Sequence, residues 1–274
     1  LPASILALPR LLKFSGAHNQ LAGQMPCPPP SSQITSLELA RNMLDGTLPS
    51  CISNVAGLVE LDISSNLIGG TLPSALGELT NLVMLTMSQN MFKGSFPESM
   101  SALTKLEYLS ASRTYLGGVL PPFLLRDMLS LVKLDISHCS FEGQLPPIDD
   151  RMENLRIVQV ENNSFNGTVE HWFNHMLQIV NAGSANFVEG VRLHLGSNGF
   201  SGELPLALYD LIYQSNHTVE LVDIGGNHFR CDQSTGSWPG WALRIEQSNS
   251  KVEHMIGRCT PVAKVLSLSL SEAA

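Results

Sequence analysis

Apolar and polar positions follow one long frame that repeats along this chain. Aliphatic residues occur in the spacing L-x-x-L-x-L, a polar position follows, and an apolar–Gly–Pro tail ends the frame. One copy reads Leu58, Leu61, Ile63, Asn66, Ile68, Gly70 and Pro73. The polar positions of six successive copies are Asn42, Asn66, Asn90, Thr114, Cys139 and Asn163, at intervals of 24 or 25 residues. A frame kept over six copies predicts a stack of similar structural units.

Each copy predicts one short strand whose inward side chains stack on the next copy. Successive side chains of the L-x-L segment alternate between the two sides of the backbone, as a strand requires. The Asn side chain is expected to bond backbone groups that are left free where the chain leaves the strand. Thr114 and Cys139 satisfy those groups less completely. Gly permits a close turn, and Pro sets an extended segment on the opposite side of the stack.

The x-L-x-G-x-x-P tail resembles the plant-type leucine-rich-repeat family, and the resemblance covers about residues 11–229. This family includes the extracellular parts of receptor-like proteins and receptor kinases. The resemblance implies an α/β solenoid, a curved right-handed superhelix of leucine-rich repeats. Short parallel strands would line its concave face, and loops, 3-10 turns or short helices would form its convex face.

The repeat array is predicted to occupy residues 1–230 and to hold about nine copies. Longer intervals indicate insertions near 171–189 and 210–216. The apolar and aromatic run that starts at His171 is expected to form a helix on the convex side or at the edge. Insertions of this kind map to loops, which often take part in binding.

The pattern stops after Phe229 and starts again at Val265. Residues 231–262 resemble the cysteine- and tryptophan-bearing caps that flank extracellular repeat arrays. Residues 263–274 are expected to begin a further, truncated repeat, so the chain is interpreted as a segment of a longer protein. The alternative is a final strand that folds back onto the cap.

Composition excludes some classes of partner. The net charge is −8, which argues against a general nucleic-acid surface because such a surface needs clustered Lys and Arg. No apolar run approaches the roughly 18 residues of a membrane-spanning helix. Membrane association is therefore expected only through segments outside this chain.

Cysteines and glycosylation sequons together favour an oxidising, extracellular setting. Cys27 and Cys51 occupy nearly equivalent positions in adjacent copies, so their backbones are expected to lie within disulfide reach. Cys231 with Cys259 would close the terminal cap, which leaves Cys139 as a buried residue of the repeat. The three candidate glycosylation sites are Asn162, Asn166 and Asn216. Asn166 is favoured over Asn162, since a glycan on Asn162 would obstruct the concave face.

The outward side chains of the strands are the candidate ligand-binding residues, because proteins of the resembled family usually bind ligands on the concave face. They combine aromatic area with cationic donors, a mixture that is favoured at binding hot spots. An ordinary solvated face is the alternative for any single residue, and Ile157 belongs to the same outward set. The predicted site residues are Met84, Gln89, Tyr108, Arg113, Lys133, His138, Gln159, Arg192 and His194.

Two other arrangements of polar residues have both a functional and a purely structural interpretation. Ser64, Ser88, Ser112 and Ser137 form a column of hydroxyls one repeat apart, which would suit ice binding only if the column were flat and exposed. His171 and His175 have the i, i+4 spacing of a metal-binding helix, but no third ligand is apparent, so a polar helix surface is expected. No nucleophile elbow, phosphate loop or paired-carboxylate motif stands out. Neither a metal, a cofactor nor an enzymatic activity is expected.

The leading functional hypothesis is an extracellular module that recognises a ligand or a protein, as part of a cell-surface receptor-like protein. Its expected partners are a protein or peptide, a glycan as a further ligand class, and a co-receptor. The alternatives are a secreted inhibitor of a hydrolase and a structural or adhesion protein, with ice binding the weakest of them. The ligand itself is not named by the sequence.

Overall fold

The computed structural model describes residues 3–181, 190–213 and 219–230. Several predicted features lie outside these residues. They are the cap at 231–262 with Cys231 and Cys259, the further repeat at 263–274, and the sequon at Asn216.

One parallel sheet of nine strands, in chain order, runs through the described residues and is called the concave sheet. Its strands are short because each copy contributes a single L-x-L segment, whose two aliphatic residues both point inward, as Leu61 and Ile63 do. Equivalent residues of neighbouring copies pair directly, as Leu61 does with Leu85 and Leu85 with Leu109. The strands are Lys13–Ser15, Ser36–Glu38, Glu60–Asp62, Met84–Thr86, Tyr108–Ser110, Lys133–Asp135, Ile157–Gln159, Val191–His194 and Val219–Asp223.

A second set of parallel strands follows the polar position of each copy and is called the second sheet. Seven of its strands form one sheet, while the first two form a separate pair. Glycine recurs four residues after the polar position because the backbone there adopts a positive φ, which is +80° at Gly118. Its neighbour Gly117 has no room for a Cβ beside the carbonyl of Ser140. The strands are Ala22–Gln24, Met43–Asp45, Gly69–Gly70, Met91–Gly94, Tyr115–Val119, Ser140–Gln144, Ser164–Gly167, Gly199–Glu203 and His228–Arg230.

The side opposite the concave sheet consists of short helical turns. Four copies have a 3-10 helix that begins directly after a proline of φ between −74° and −62°, so the proline sets the approach to each turn. These helices are Ser50–Asn54, Ser74–Glu78, Glu98–Ala102 and Pro122–Leu125. Three α-helices complete the described residues: α1 (Ala3–Leu6), α2 (Glu170–Asn181) and α3 (Leu206–Tyr213). The helix expected from His171 onward is confirmed as α2.

Asparagine side chains link each copy to the preceding one. Asn90 is buried, its Nδ2 donates to the carbonyls of Ile63 and Met87 at 2.9 and 3.0 Å, and its Oδ1 accepts from the amide of Ile68 at 3.0 Å. At Thr114 the hydroxyl donates to a carbonyl of its own copy at 2.8 Å. The predicted role of the asparagine is confirmed, and the substituted copies make fewer such bonds.

Aliphatic and aromatic side chains fill the interior between the two sheets and the helical turns. The aromatic residue of the tail position stacks in three successive copies, with ring centroids of Phe141 and Phe165 at 6.2 Å and of Phe165 and Phe200 at 6.3 Å. All three rings are fully buried. The expected α/β solenoid is confirmed, and one continuous core holds both sheets in fixed positions.

Candidate ligand-binding face

Three predicted residues lie in one row across the middle of the concave sheet. Met84 pairs with Tyr108, and Tyr108 pairs with Lys133, because their strands align without a register shift. The residue that follows each of them points inward, as the fully buried Leu109 does after Tyr108. Met84 is exposed, and the other two are half-buried. The row therefore presents a thioether, a phenol and an ammonium group on adjacent strands.

The row is interrupted before it reaches the later copies. Ile157 pairs with Lys133 on one side and with Arg192 on the other, but only 5% of its surface is exposed. The expectation that Ile157 is available for contact is wrong, because alternation gives the direction of a strand side chain but not what covers it. Gln159 and His194 form the neighbouring row, pair with each other and are half-buried.

The other three predicted residues lie at the edge where the chain leaves the concave sheet. Gln89, Arg113 and His138 each adopt φ between +53° and +56°, which turns their side chains toward the rim. Nη2 of Arg113 lies 3.5 Å from Nε2 of His138. All three line a cleft of about 270 Å³. The complete lining is Asn66, Gln89, Asn90, Met91, Arg113, Thr114, Tyr115 and His138.

Sequence reasoning missed the apolar part of this cleft. Met91 and Tyr115 immediately follow the polar position of the frame, where no inward or outward direction was assigned to them. Both side chains are at least half exposed. The sequence does contain a signal of this apolar surface, because four successive copies carry a large apolar residue directly after the polar position.

The serine column is not an exposed ladder of hydroxyls. Ser88, Ser112 and Ser137 are buried, with at most 9% of their surface exposed. Ser112 donates to Ser88 at 3.0 Å, and Ser137 donates to Asp135 at 2.8 Å. These hydroxyls are therefore used within the protein, and the geometry does not provide the flat exposed array that ice binding needs.

Glu161 occupies the next position of the serine column and was not predicted as a site residue. Oε2 of Glu161 is buried and has no hydrogen-bond partner among the described residues. Burial raises the pKa of this carboxyl, while His194 and His138 act in the opposite direction. A buried carboxyl thus lies within electrostatic range of two of the predicted histidines.

The remaining predicted residues are the cysteines and the asparagines of the sequons. Cys27 and Cys51 form a disulfide with Cα atoms 5.5 Å apart. The Cys139 thiol is half-buried, donates to the carbonyl of Ala111 at 3.3 Å, and has a pKa raised by burial. Such a thiol is a poor nucleophile. Asn162 and Asn166 are both exposed.

The expectation of a polar surface at His171 and His175 is wrong for the second histidine. His171 is exposed, but only 2% of His175 is, and burial lowers the pKa of its ring. The amphipathic helix α2 packs this side against the core, so the i, i+4 pair does not present two exposed ligands. Within the three described ranges, no group of three His, Cys, Asp or Glu residues could hold a metal ion.

No described helix combines the length and the apolar character that crossing a bilayer demands.

Comparison with known proteins identifies the repeat. Models of the leucine rich repeat match residues 32–92, 56–116 and 130–150. Receptor-like protein 35 of Arabidopsis thaliana is 33% identical over 144 residues, which are 50% of this chain and 13% of that protein. Receptor-like protein 18 of the same plant is 28% identical over 131 residues, 47% of this chain and 13% of the relative. The chain thus spans about an eighth of the length of these relatives.

A solved structure extends the similarity to most of the chain. It is the leucine-rich-repeat ectodomain of the plant membrane receptor kinase GASSHO1/SCHENGEN3 from Arabidopsis thaliana, solved in complex with CASPARIAN STRIP INTEGRITY FACTOR 2. The TM-score is 0.71 at 26% identity, over 86% of this chain and 26% of that one. With the two-sheet solenoid and the asparagine ladder, these matches identify leucine rich repeats at residues 32–116 and 130–150, and these repeats are similar to those of plant receptor-like proteins and of a plant receptor-kinase ectodomain.

Proposed function

We propose that this chain is a recognition module of an extracellular receptor-like protein and that its concave face binds a peptide or protein segment. The proposal rests on the row of Met84, Tyr108 and Lys133, which lie on three strands in register. An aromatic ring beside an ammonium group on a rigid sheet suits a partner with apolar and acidic side chains.

The similarities support the extracellular and receptor-like parts of this proposal. Both relatives are receptor-like proteins, and the similar ectodomain was solved with a bound partner. The disulfide between Cys27 and Cys51 and the exposed sequons at Asn162 and Asn166 suit an oxidising, glycosylating route. A glycan ligand and a co-receptor remain part of the proposal as further partners.

The proposed role is binding and not catalysis. Cys139 is the free thiol among the described residues, and its burial disfavours the reactive thiolate. The cationic residues Lys133 and Arg113 lie at the face and at its rim, where they would steer an acidic partner.

The test begins with a displayed library of random peptides, from which binders to the full chain are selected. The peptides have about twelve residues, a length that suits an extended ligand. The affinities of selected peptides are then measured for Lys133→Glu and for the pair Lys133→Glu with Arg113→Glu. We expect about tenfold weaker binding for the single variant, because a like charge replaces a complementary one. Lys105→Glu is the matched control, since Lys105 is exposed and lies outside the concave strands. Unchanged affinity in both Lys133 variants would refute the proposed face.

A further inference from the structure

Four exposed apolar side chains form a stripe along the second sheet in four successive copies. Each directly follows the polar position of its copy. The exposed fractions are 45% for Met43, 53% for Leu67, 50% for Met91 and 64% for Tyr115. We call these four residues the apolar stripe. It is separate from the concave row described above, although Met91 and Tyr115 line the cleft at the rim.

The stripe is not a general consequence of the repeat. The same position in the remaining copies has a polar side chain or none, as in Gln20, Ser140, Ser164, Gly199 and His228. Exposed Met, Leu and Tyr side chains cost solubility and contribute nothing to the core. Exposed apolar residues that recur on adjacent strands mark an interaction surface more often than scattered single residues do.

The pairing in the second sheet sets the spacing of the stripe. Met91 lies opposite Gly69, and Tyr115 lies opposite Lys93, so successive stripe residues are displaced by two residues along their strands. One step across strands combined with two residues along a strand gives about 8 Å between neighbouring stripe positions. Alternate side chains of an extended segment are about 7 Å apart, so such a segment can place one apolar side chain near each position.

The border of the stripe toward the concave sheet is cationic. In the four copies of the stripe, the residues that precede the polar positions are Arg41, Ser65, Gln89 and Arg113, and His138 follows in the next copy; two are cationic and none is acidic. Arg41 and Arg113 are exposed, and neither forms an ion pair with a carboxylate of the described residues. In a chain of net charge −8, this border selects for an acidic partner.

The stripe also lies in the part of the chain without sequons. All three sequons come after residue 160, whereas the stripe ends at Tyr115. Glycans at these sequons would therefore leave the copies of the stripe unmodified.

We propose that the apolar stripe of Met43, Leu67, Met91 and Tyr115 is a second binding surface, which takes an extended segment of a partner protein with alternating apolar side chains and an acidic residue beside Arg113. This surface shares Arg113 with the rim of the concave face proposed above, but its four apolar residues lie outside the concave strands.

The test uses a fluorescein-labelled, end-blocked peptide of about ten residues, a length that covers the stripe when extended and adds one acidic position on the same face. Its sequence is Thr-Leu-Thr-Leu-Thr-Phe-Thr-Leu-Thr-Glu, and binding to the full chain is followed by fluorescence anisotropy. We expect the pair Met91→Ser with Tyr115→Ser to weaken binding by about tenfold or more. Serine occupies the same position in two other copies, so the variant should fold, and its urea midpoint checks this.

Val119→Ser is the matched control, since Val119 is 64% exposed on the strand of Tyr115 but lies outside the stripe. It should leave peptide affinity unchanged, as should Lys133→Glu in the concave row. A peptide with Lys in place of Glu should bind more weakly. The proposal is overturned if the peptide does not bind, if Val119→Ser weakens it as much as the double variant does, or if sedimentation shows a dimer that the double variant abolishes. That last outcome would assign the stripe to a second copy of the chain.

Discussion

Replacing Asn90 with alanine should destabilise the array at the junction of two copies. The side chain is buried, donates to the carbonyls of Ile63 and Met87, and accepts from the amide of Ile68. Only 6% of the surface of Asn90 is exposed, so bulk water has little access to the groups that it bonds. A buried polar group left without a partner costs about 1–3 kcal/mol. The Ile68 amide loses this acceptor, and Ile63 and Met87 each lose one donor, so we expect a loss of about 2–4 kcal/mol in the free energy of unfolding.

Urea denaturation followed by circular dichroism measures this loss, and hydrogen exchange reports where it occurs. The Ile68 amide should exchange faster in Asn90→Ala than in the parent protein, because its acceptor is missing. Asn81→Ala is the matched control, since its Nδ2 donates one exposed bond to the carbonyl of Ala56 at 3.0 Å. That control should cost less than about 1 kcal/mol. If the two variants lose the same stability, the asparagine ladder does not hold the copies together in the way described.

Three further predictions concern covalent and titratable groups. Replacing Cys27 and Cys51 with serine removes a disulfide that joins residues 24 positions apart. The free energy of unfolding, measured by urea denaturation, should fall by about 3 kcal/mol, and an unchanged midpoint would contradict this. Burial raises the pKa of Glu161, so the folded chain holds this proton more tightly than the unfolded chain. The free energy of unfolding should therefore fall as the pH rises from the ordinary carboxyl range through the raised pKa, and Glu161→Gln should flatten that slope. Burial lowers the pKa of His175, so the unfolded chain binds the proton more readily and stability should be lost as the pH falls through 6.5. His175→Phe should remove this loss, and a variant with the parent pH profile would show that another group is responsible.

Much of the site was predictable because it depends on strand alternation. Met84, Tyr108 and Lys133 were assigned outward from the L-x-L frame alone, and their strands pair without a shift. The position after the asparagine has no such alternation rule, so the exposure of Met91 and Tyr115 was not predicted. The i, i+4 spacing of His171 and His175 predicts a shared helix face but not which elements pack against it, so the burial of His175 does not follow from this spacing.

The sequence by itself determined the stacked copies, the inward column and the asparagine ladder, because a fixed period places chemically equivalent residues at equivalent depths. Only the tertiary structure decided what lies over each outward residue. It buried Ile157, brought Arg113 within 3.5 Å of His138, and displaced the second-sheet strands so that Met91 and Tyr115 share one cleft. The physical reason is that the local backbone sets the direction of a side chain, whereas the exposure of that side chain and its neighbours depend on segments distant in the sequence.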